Sequence, residues 1–389
     1  MNLLFCHDAK LLEFEKQYYT NGGLTASYLN KYLNYFNNLT VFTRKIEVDE
    51  IDRNKYACCN SSNIIFRCSK ASSILQLLTK KNRLALKNEI MKADFIIARL
   101  HSVNGFLAVS YAKKLNKRIL IEQVGCPFDS LWNYGGLSGK ILAPLFYLAN
   151  KRAIKKADYV IYVSEKFLQN RYPTKAKNIS CSDVNLEEFD QSILEKRLKK
   201  IETSHMTLKL GMIGSLDINF KGHEQAIKVL PLLTDSFKSV ELHILGAGNK
   251  SKWVDLAHSL GVSSSIFFDG TLPSGRAVYN WMDSLDIYLI PSLQEGMPRA
   301  LIEALSRALP AIGNNVGGIP ELISADYIIQ KKDYKSLAKK ISLLATNKDK
   351  MKEQAIANFY HAHKFEKNLL ETKKDKFYSE ILEDIKNNA

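Results

Sequence analysis

The chain has 389 residues with 46% hydrophobic and 24% charged side chains, which excludes a disordered protein and leaves room for two globular domains. No apolar run reaches the roughly 18 to 20 residues of a membrane span, no secretion signal is recognisable, and the six cysteines lack a regular spacing, so we expect a cytoplasmic protein with free thiols. The net charge of +15 favours an anionic partner, and nucleic acid is the least favoured because no nucleic-acid-binding motif is present.

The first half alternates short apolar strands with helical stretches, which predicts parallel α/β layers. A strand over residues 2–6 ends at His7-Asp8, a loop leads to Gly22-Gly23, and a helix covers about residues 24–36. The further strands predicted in this half cover residues 39–43, 95–98, 118–122 and 159–163.

The second half repeats the alternation after a highly charged stretch that contains no strand. We predict a linker at residues 196–207 between a domain at 1–195 and a domain at 208–370. The second series comprises a strand at 208–213, a helix at 224–233, a strand at 240–245, a helix at 252–260 and a strand at 266–268. Residues 371–389 form a lysine-rich helix at the end of the chain.

Two stretches combine a helical apolar face with clustered cations. They cover residues 74–92 and 138–157. Basic amphipathic helices of this kind can lie on an anionic membrane surface. An ordinary domain helix with a solvated basic face explains the same pattern, so both interpretations stay open.

Two carboxylates stand out in residues 289–323, which predict a strand, a glycine-containing loop, a helix and a second strand. Glu295 lies in the loop and Glu303 lies eight positions later in the helix. Charge compensation at the helix start, worth about 0.3–1 kcal/mol, explains Glu295. It explains Glu303 poorly, because the neighbours of Glu303 are apolar and a bare buried carboxylate needs a polar partner.

This segment resembles the Glu-x7-Glu signature of the retaining family-4 glycosyltransferases. The resemblance includes Pro291-Ser292, Gly296, Gly317-Gly318 and Glu321, covers most of residues 208–323, and extends more weakly into the first half. It implies the α/β GT-B fold, in which two Rossmann-like parallel-sheet domains face each other across a cleft. It also implies that the C-terminal helix crosses back to the N-terminal domain, where Phe377-Tyr378 could anchor it.

The resemblance implies a site for the diphosphate of a nucleotide sugar around residues 210–223. A strand there runs into a loop and a helix, and backbone amides at such a junction favour anions. Lys221 matches one of the two cations that grip the diphosphate in the family, whereas Ser215 stands where the family has arginine. Arg299 is a candidate replacement, and Gly22 and Gly23 resemble the glycine-rich loop that faces the diphosphate.

The same resemblance implies which residues bind the sugar, the ribose and the nucleobase of the donor. Glu295 would accept hydrogen bonds from the sugar hydroxyls, with Gly296, Met297, Pro298 and Arg299 around the sugar. Glu303 would hold both ribose hydroxyls, which suits a carboxylate with two acceptor oxygens. Phe268 and Gly270 match the element that meets the nucleobase, although a simple strand end explains them equally well.

The acceptor side lacks a residue that many family members have. The family's histidine after the strand at 118–122 is absent, because the matching places read Gln123, Val124 and Gly125. Its role is either unfilled or moved to His101 or Asp129. We therefore count Glu295, Lys221, Asp129 and His101 as candidate catalytic residues. No Asp-x-Asp motif or metal-ligand spacing is present, so we expect no metal, and Lys221 would stabilise the leaving group's charge.

The observations and the resemblance together predict a retaining glycosyltransferase that uses a nucleotide-diphosphate sugar, with UDP or GDP as the nucleotide, and no other cofactor. The expected acceptor is a lipid-linked saccharide at the inner face of the cytoplasmic membrane, in the assembly of capsule, O-antigen or exopolysaccharide. Two alternatives stay open: a non-catalytic sugar-nucleotide-binding partner of another transferase, and a GT-B sugar-nucleotide epimerase.

Overall fold

The structure is a computed structural model, and it describes the whole chain except residues 54, 72, 74, 135, 185, 187, 188, 204–206, 234–236 and 388–389. The chain forms two compact units. The first comprises residues 1–128, 142–181 and 374–389, and the second comprises residues 129–141 and 182–373. Each unit has its own β-sheet, as the alternation of strands and helices predicts.

The first unit contains a nine-stranded sheet made of β1 (Asn2–Phe14), β2 (Gln17–Thr20), β3 (Asn38–Glu47), β4 (Ala57–Cys58), β5 (Ile64–Ser69), β6 (Phe95–Leu100), β7 (Arg118–Gln123), β8 (Tyr159–Tyr162) and β9 (Lys177–Ser180). Parallel pairing runs in the order β5-β3-β1-β6-β7-β8-β9. Phe5, Ile97 and Ile121 on the central strands are fully buried. Near-continuous apolar strands of this kind are typical of a parallel sheet covered on both faces.

Helices alternate with these strands along the chain, and the helical residues within 129–141 belong to the second unit. The described α-helices that begin before residue 181 are α1 (Ala26–Asn30), α2 (Lys80–Lys92), α3 (Val103–Lys114), α4 (Pro127–Tyr134), α5 (Leu137–Lys156) and α6 (Phe167–Arg171). The strands predicted at 39–43, 95–98, 118–122 and 159–163 are confirmed within one to four residues at their ends.

The prediction of a loop after residue 6 is wrong. Strand β1 continues to Phe14 with a register shift between Cys6 and Lys10, and β2 returns beside it with Leu12 opposite Tyr19. Leu11 is fully buried, so this extension has an apolar anchor of its own. The helix predicted at 24–36 is also shorter, because α1 begins after the Thr25 cap and passes into a 3-10 turn at residue 31.

The second unit contains a six-stranded sheet made of β10 (Thr207–Ile213), β11 (Ser239–Leu245), β12 (Ile266–Gly270), β13 (Ile287–Ile290), β14 (Ala311–Asn314) and β15 (Ile328–Ile329). All neighbours are parallel, in the order β12-β11-β10-β13-β14-β15. The chain moves outward from β10 to β12 and then crosses to β13 on the other side of β10. The strand order therefore reverses between β10 and β13, where open α/β sheets bind ligands at their carboxyl edge.

The α-helices that cover this sheet are α7 (Gln191–Glu202), α8 (His223–Val229), α9 (Ser251–Ser259), α10 (Arg276–Ser284), α11 (Arg299–Ser306), α12 (Tyr334–Ala345) and α13 (Lys348–Ala362). Short 3-10 helices complete both units at Lys31–Asn34, Leu75–Leu78, Asn219–Lys221, Leu230–Leu232, Ser263–Ser265, Ile319–Glu321, Ala325–Tyr327 and His363–Phe365. The helices predicted at 224–233 and 252–260 correspond to α8 with its 3-10 extension and to α9.

The segment predicted as a linker contains much of a packed helix. Ile193, Leu194 and Ile201 of α7 are buried in the core of the second unit. Arg197 is buried as well, and its guanidinium donates to the carbonyls of Met282 and Leu285 at the end of α10. The charged composition that indicated a linker therefore belongs to an amphipathic helix of the second unit. Residues 204–206 of the predicted linker lie outside the described residues.

The last helix, α14 (Lys367–Asn387), joins the first unit from residue 374 onward. Phe377 and Tyr378 are buried there. The Tyr378 ring stacks on Tyr35 at 4.4 Å, and the Phe377 ring meets Tyr159 edge-on at 6.4 Å. This confirms the predicted return of the C-terminal helix to the N-terminal domain.

Truncating this anchor should destabilise the protein. We expect Phe377→Ala to lower the free energy of unfolding by about 3–5 kcal/mol, because it leaves a cavity among aromatic rings. Urea denaturation followed by circular dichroism measures the change. Leu369→Ala on the same helix is the matched control, since Leu369 is 55% exposed and should change stability little. Equal effects of the two variants would contradict the role of Phe377.

Candidate active site

The loops that follow the central strands of the second sheet are joined to one another by backbone hydrogen bonds. Gly214 N–H donates to the Leu245 carbonyl at 3.0 Å, and Gly246 N–H donates to the Gly270 carbonyl at 2.6 Å. Leu293 N–H, after β13, donates to the Phe220 carbonyl at 2.7 Å. The carboxyl ends of these strands therefore carry one continuous set of loops, at the edge where ligands bind in such sheets.

Lys221 and Glu295 meet at this edge. The Lys221 Nζ atom lies 2.8 Å from Glu295 Oε1, and the two side chains are 26% and 12% exposed. Gly222 makes this approach feasible, because it has a positive φ of 85° and a Cβ at its position would collide with the Pro291 carbonyl. The loops after β10 and β13 thus pack backbone against backbone and bring both predicted donor residues together.

The Gly-Gly turn after β14 supports the same loop from its other side. Gly318 N–H donates to the Gly296 carbonyl at 2.7 Å. Gly317 has a φ of 55°, and a Cβ there would collide with the Glu295 carbonyl. The Met297 side chain lies against Gly318, and Met297 is buried. The turn therefore fixes the backbone that carries Glu295.

Glu303 projects from α11 into a partly buried position without a hydrogen-bonding partner. Burial raises the pKa of the Glu303 carboxyl, and the positive charge of Arg299 opposes this only in part. No described side chain or backbone group pairs with the carboxylate through a hydrogen bond or an ion pair. The polar partner expected from the sequence is therefore not supplied by the described protein groups.

The buried Tyr288 is affected by the charges of both carboxylates. Burial raises the pKa of the Tyr288 phenol, and the charges of Glu295 and Glu303 raise it further. The charges of both carboxylates therefore act on the Tyr288 hydroxyl. Sequence reasoning missed Tyr288, since a tyrosine within an apolar strand carries no local sign of such a position.

Asn314 is another residue near the site that the sequence analysis did not identify. It is fully buried at the end of β14. Its side-chain amide donates to the Pro291 carbonyl at 2.8 Å and to the Ser292 carbonyl at 3.1 Å. Asn314 thereby fixes the strand end from which the Glu295 loop departs. An asparagine inside the apolar run of a parallel strand is the signal that could have identified it.

The remaining donor candidates lie around this centre. Ser215 is half-buried in the loop after β10, and its carbonyl accepts from Ile218 N–H at 3.2 Å. Phe268 is half-buried against the core of the second unit, and Gly270 is exposed at the end of β12. Pro298 is buried directly before α11, whereas Arg299 is exposed at its first position. The roles of these residues stay predictions.

The segment that carries Asp129 belongs to the second unit. The Gln294 amide reaches the Ser130 hydroxyl at 3.5 Å, and the Asn133 amide reaches the Leu293 carbonyl at 3.5 Å. The Asn133 amide also donates to the Asp129 carbonyl at 2.9 Å. The structure therefore brings the Asp129 segment against the residues that directly precede Glu295.

His101 lies in the first unit, directly after β6. A Cβ at Gly125 would stand 3.5 Å from the His101 ring, so the imidazole lies against the glycine that follows β7. Burial lowers the pKa of His101 to about 4, which keeps the ring neutral at pH 7, and the Gly125 carbonyl opposes this shift only in part. The Nδ1 atom is buried, and none of the described residues forms a hydrogen bond with it.

A largely buried network of polar side chains holds the end of β6, two residues before His101 in the chain. The sequence analysis did not predict this network. The Arg99 guanidinium pairs with the Glu122 carboxylate at 2.8 Å and donates to the Tyr28 hydroxyl at 2.6 Å. The Tyr32 hydroxyl donates to the same carboxylate at 2.6 Å. These groups fix the carboxyl ends of β6 and β7, from which the His101 and Gly125 loops depart.

Gly22 and Gly23 are exposed and follow β2, not the first strand as predicted. Gly22 N–H donates to the Thr20 hydroxyl at 2.9 Å. This contact is a local turn that needs no ligand. The assignment of these glycines to a diphosphate stays a prediction.

The described part of the chain was expected to contain neither a metal site nor a membrane-spanning helix. No group of three or more histidine, cysteine, aspartate or glutamate side chains there is arranged to hold a metal ion. Among the described helices, none combines the length and hydropathy of a membrane span. The absence of a catalytic metal stays a prediction.

The fold and these residues match known proteins. The family model described as "Glycosyl transferases group 1" matches residues 195–361, which include Lys221, Glu295 and Glu303. Protein CapJ of Staphylococcus aureus is 34% identical over 363 residues, covering 92% of this chain and 90% of CapJ.

Two further matches are more distant. N,N'-diacetylbacillosaminyl-diphospho-undecaprenol alpha-1,3-N-acetylgalactosaminyltransferase of Campylobacter jejuni is 22% identical and covers 77% of this chain and 80% of its own. The crystal structure of HepE from Anabaena with UDP superposes with a TM-score of 0.68 at 14% identity, over 98% of this chain and all of HepE. That likeness shows the fold, which is GT-B as predicted. The chain is therefore a member of the group 1 glycosyl transferase family.

Proposed function

We propose that this glycosyltransferase takes a sugar from a nucleotide-diphosphate donor held by the second unit, with UDP or GDP as the nucleotide. The observation that carries the proposal is the half-buried Glu303 carboxylate, which has no partner among the described protein groups and lies on the helix that follows the Glu295 loop. A buried carboxylate without donors is costly. The two hydroxyls of a ribose would satisfy it, and the diphosphate would then lie within reach of Lys221.

Lys221 would stabilise the diphosphate as the glycosidic bond breaks, because negative charge develops on the leaving oxygen. Glu295 would orient the sugar through its hydroxyls. Retention of the anomeric configuration and independence from metal rest on the resemblance to the retaining family-4 enzymes. The HepE complex with UDP supports UDP as a donor nucleotide for this fold.

Two groups are proposed for the reacting centre. His101 is neutral and presents a buried Nδ1 atom without a partner, so it could accept a hydrogen bond from a hydroxyl. Asp129 lies on the segment that contacts Gln294 and Leu293, next to Glu295. His101 would thereby take over the role of the absent family histidine, since its ring lies against Gly125, one of the three places, residues 123–125, that match that histidine.

The proposed acceptor is a lipid-linked saccharide at the inner face of the cytoplasmic membrane. The Campylobacter relative is named for a diphospho-undecaprenol acceptor, which supports this substrate class. The resemblance to capsule and O-antigen transferases supports the proposal that the reaction belongs to the assembly of capsule, O-antigen or exopolysaccharide. The acceptor would be held by the first unit.

Helix α5 gives this membrane proposal a physical basis. Its buried face carries Ala143, Asn150 and Ile154. The opposite face, at about 3.6 residues per turn, is apolar over three turns and is lined by the exposed residues Leu137, Ile141, Leu145 and Leu148. The next turns of the same face carry the exposed cations Arg152, Lys155 and Lys156.

This order of side chains along one helix face suits a bilayer that contains anionic lipids. The apolar turns would enter the acyl boundary while the cations meet lipid phosphates. Leu137 is 80% exposed and Leu145 is 58% exposed, so the apolar stripe is unpartnered in the described structure. An apolar stripe with a cationic end fits an anionic membrane better than it fits water.

Removal of the Glu303 carboxylate tests the donor site. We expect Glu303→Ala to weaken UDP or GDP binding by about 1–3 kcal/mol, because the ribose loses its acceptor. Isothermal titration calorimetry in EDTA measures this and also tests metal independence. Glu224→Ala is the matched control, since Glu224 is exposed in the same unit and pairs with Lys228. Unchanged affinity in Glu303→Ala would remove Glu303 from the site.

The raised pKa of Glu303 also predicts how stability depends on pH. A carboxyl whose pKa is higher in the folded than in the unfolded state lowers stability at pH values above the folded pKa. This penalty disappears as pH falls through the folded pKa toward the ordinary value of about 4.3. The stability of Glu303→Gln relative to wild type should therefore be highest near pH 8 and fall toward pH 4. Thermal unfolding across this range measures the difference, and a constant difference would contradict the burial of a charged carboxylate.

The α5 stripe can be tested by flotation with liposomes. We expect the double variant Leu145→Ser and Leu148→Ser to lose most binding to vesicles containing anionic phosphatidylglycerol, because two inserting side chains become polar. Leu343→Ser is the control, since Leu343 is 55% exposed on α12. Binding that survives the double variant, or wild-type protein that does not float at low salt, would contradict the membrane proposal.

A further inference from the structure

Lys221 and Glu295 form an ion pair in the structure, but the proposed function assigns them to different parts of the donor. Lys221 would bind the diphosphate, and Glu295 would bind the sugar. We propose that this pair makes the site discriminate against the nucleoside diphosphate that remains after transfer, in favour of the intact nucleotide sugar. The inference rests on the proposed function and deepens it, because it assigns Glu295 a role in product release as well as in holding the sugar.

In the structure the two charges neutralise each other. Lys221 Nζ and Glu295 Oε1 are 2.8 Å apart, and both side chains are mostly shielded from solvent. In the described part of the chain, neither side chain has another oppositely charged partner within ion-pair distance. Lys221 also packs along Gly214, which leaves no room for a Cβ there. The pair is therefore part of how the two loops are held together.

A nucleoside diphosphate without a sugar meets this pair unfavourably. Its phosphates attract the Lys221 ammonium, but the Glu295 carboxylate lies at hydrogen-bond distance from that ammonium and carries the same sign of charge as the phosphates. Shielding from solvent strengthens this repulsion. Binding of the diphosphate then either breaks the pair, which leaves Glu295 without a donor, or places two anions around one cation.

The intact nucleotide sugar avoids this penalty. Its sugar hydroxyls can donate to the Glu295 carboxylate while its diphosphate occupies Lys221, so each member of the pair gains a new partner. Once the sugar has been transferred, the hydroxyls leave and Glu295 again competes for Lys221. The competition weakens the hold on the nucleoside diphosphate at the step where it must dissociate.

An opposite arrangement is physically possible and gives the opposite sign. A lysine ammonium has three N–H donors, so it could bind a phosphate and Glu295 at the same time. Glu295 would then position Lys221 for the phosphate, and its neutralisation would weaken diphosphate binding. The sign of the change in Glu295→Gln therefore decides between competition and positioning.

The experiment is calorimetric titration of UDP and of GDP, without sugar and in EDTA, into wild type, Glu295→Gln, Lys221→Met and the double variant. We expect Glu295→Gln to bind the diphosphate about two- to fivefold more tightly than wild type, the scale of a partly exposed ion pair. Lys221→Met should bind it more weakly. The gain from Glu295→Gln should be smaller in the Lys221→Met background and should shrink at high salt.

Controls make the outcome specific. Glu353→Gln removes an exposed carboxylate of the same unit, on α13 and not at the start of α8, and should leave the affinity unchanged. Glu295→Ser serves as a second variant in case the glutamine side chain disturbs the loop, and circular dichroism checks the fold of each protein.

The possible outcomes separate this inference from the function on which it rests. Weaker or unchanged binding in both Glu295 variants, with weaker binding in Lys221→Met, would overturn the inference and leave the donor site intact. Wild-type protein that binds neither diphosphate would overturn the proposed function and the inference with it. Tighter binding in both Glu295 variants would support the competition between Glu295 and the diphosphate.

Discussion

The candidate site depends on two close backbone contacts between neighbouring loops, each made possible by a glycine. Gly222 approaches the Pro291 carbonyl, and Gly317 approaches the Glu295 carbonyl, both with a positive φ. These contacts fix the loop after β13 between the loops after β10 and β14. The short distance between Lys221 and Glu295 follows from this packing. The chemistry of the site is thus set by the strand order of the sheet and by two glycines.

The first unit uses a different means to fix its own loops. Here buried polar groups hold the strand ends, with Glu122 at the centre of contacts from Arg99 and Tyr32. The cost of removing two charges from water offsets much of the attraction within a buried ion pair, so this pair is weak evidence for stability. The neutral His101 beside Gly125 is a product of the geometry of these strand ends, because burial leaves its imidazole without a charge. The second unit thus carries the Lys221–Glu295 ion pair, and the first carries an uncharged imidazole at His101.

The sequence predicted most of the local elements and the Glu295–Glu303 motif, because periodicity and short motifs are local properties. It did not predict the hairpin of β1 and β2, whose stability depends on pairing with the distant β3. Charged composition hid helix α7, since its few buried residues make sense only against the core of the second unit. Tyr288 and Asn314 were missed for the same reason: each acts through contacts with residues far away in the chain.

Membrane binding through the apolar and cationic halves of α5, as proposed above, would have a kinetic consequence. An enzyme bound to a bilayer through such a face searches for its acceptor in two dimensions, and it meets a lipid-linked substrate at an effective concentration far above the cellular average. The first unit could then work with a modest intrinsic affinity for the saccharide. Selection would act on the surface density of the acceptor and on the lipid composition around it, more than on the tightness of a saccharide pocket.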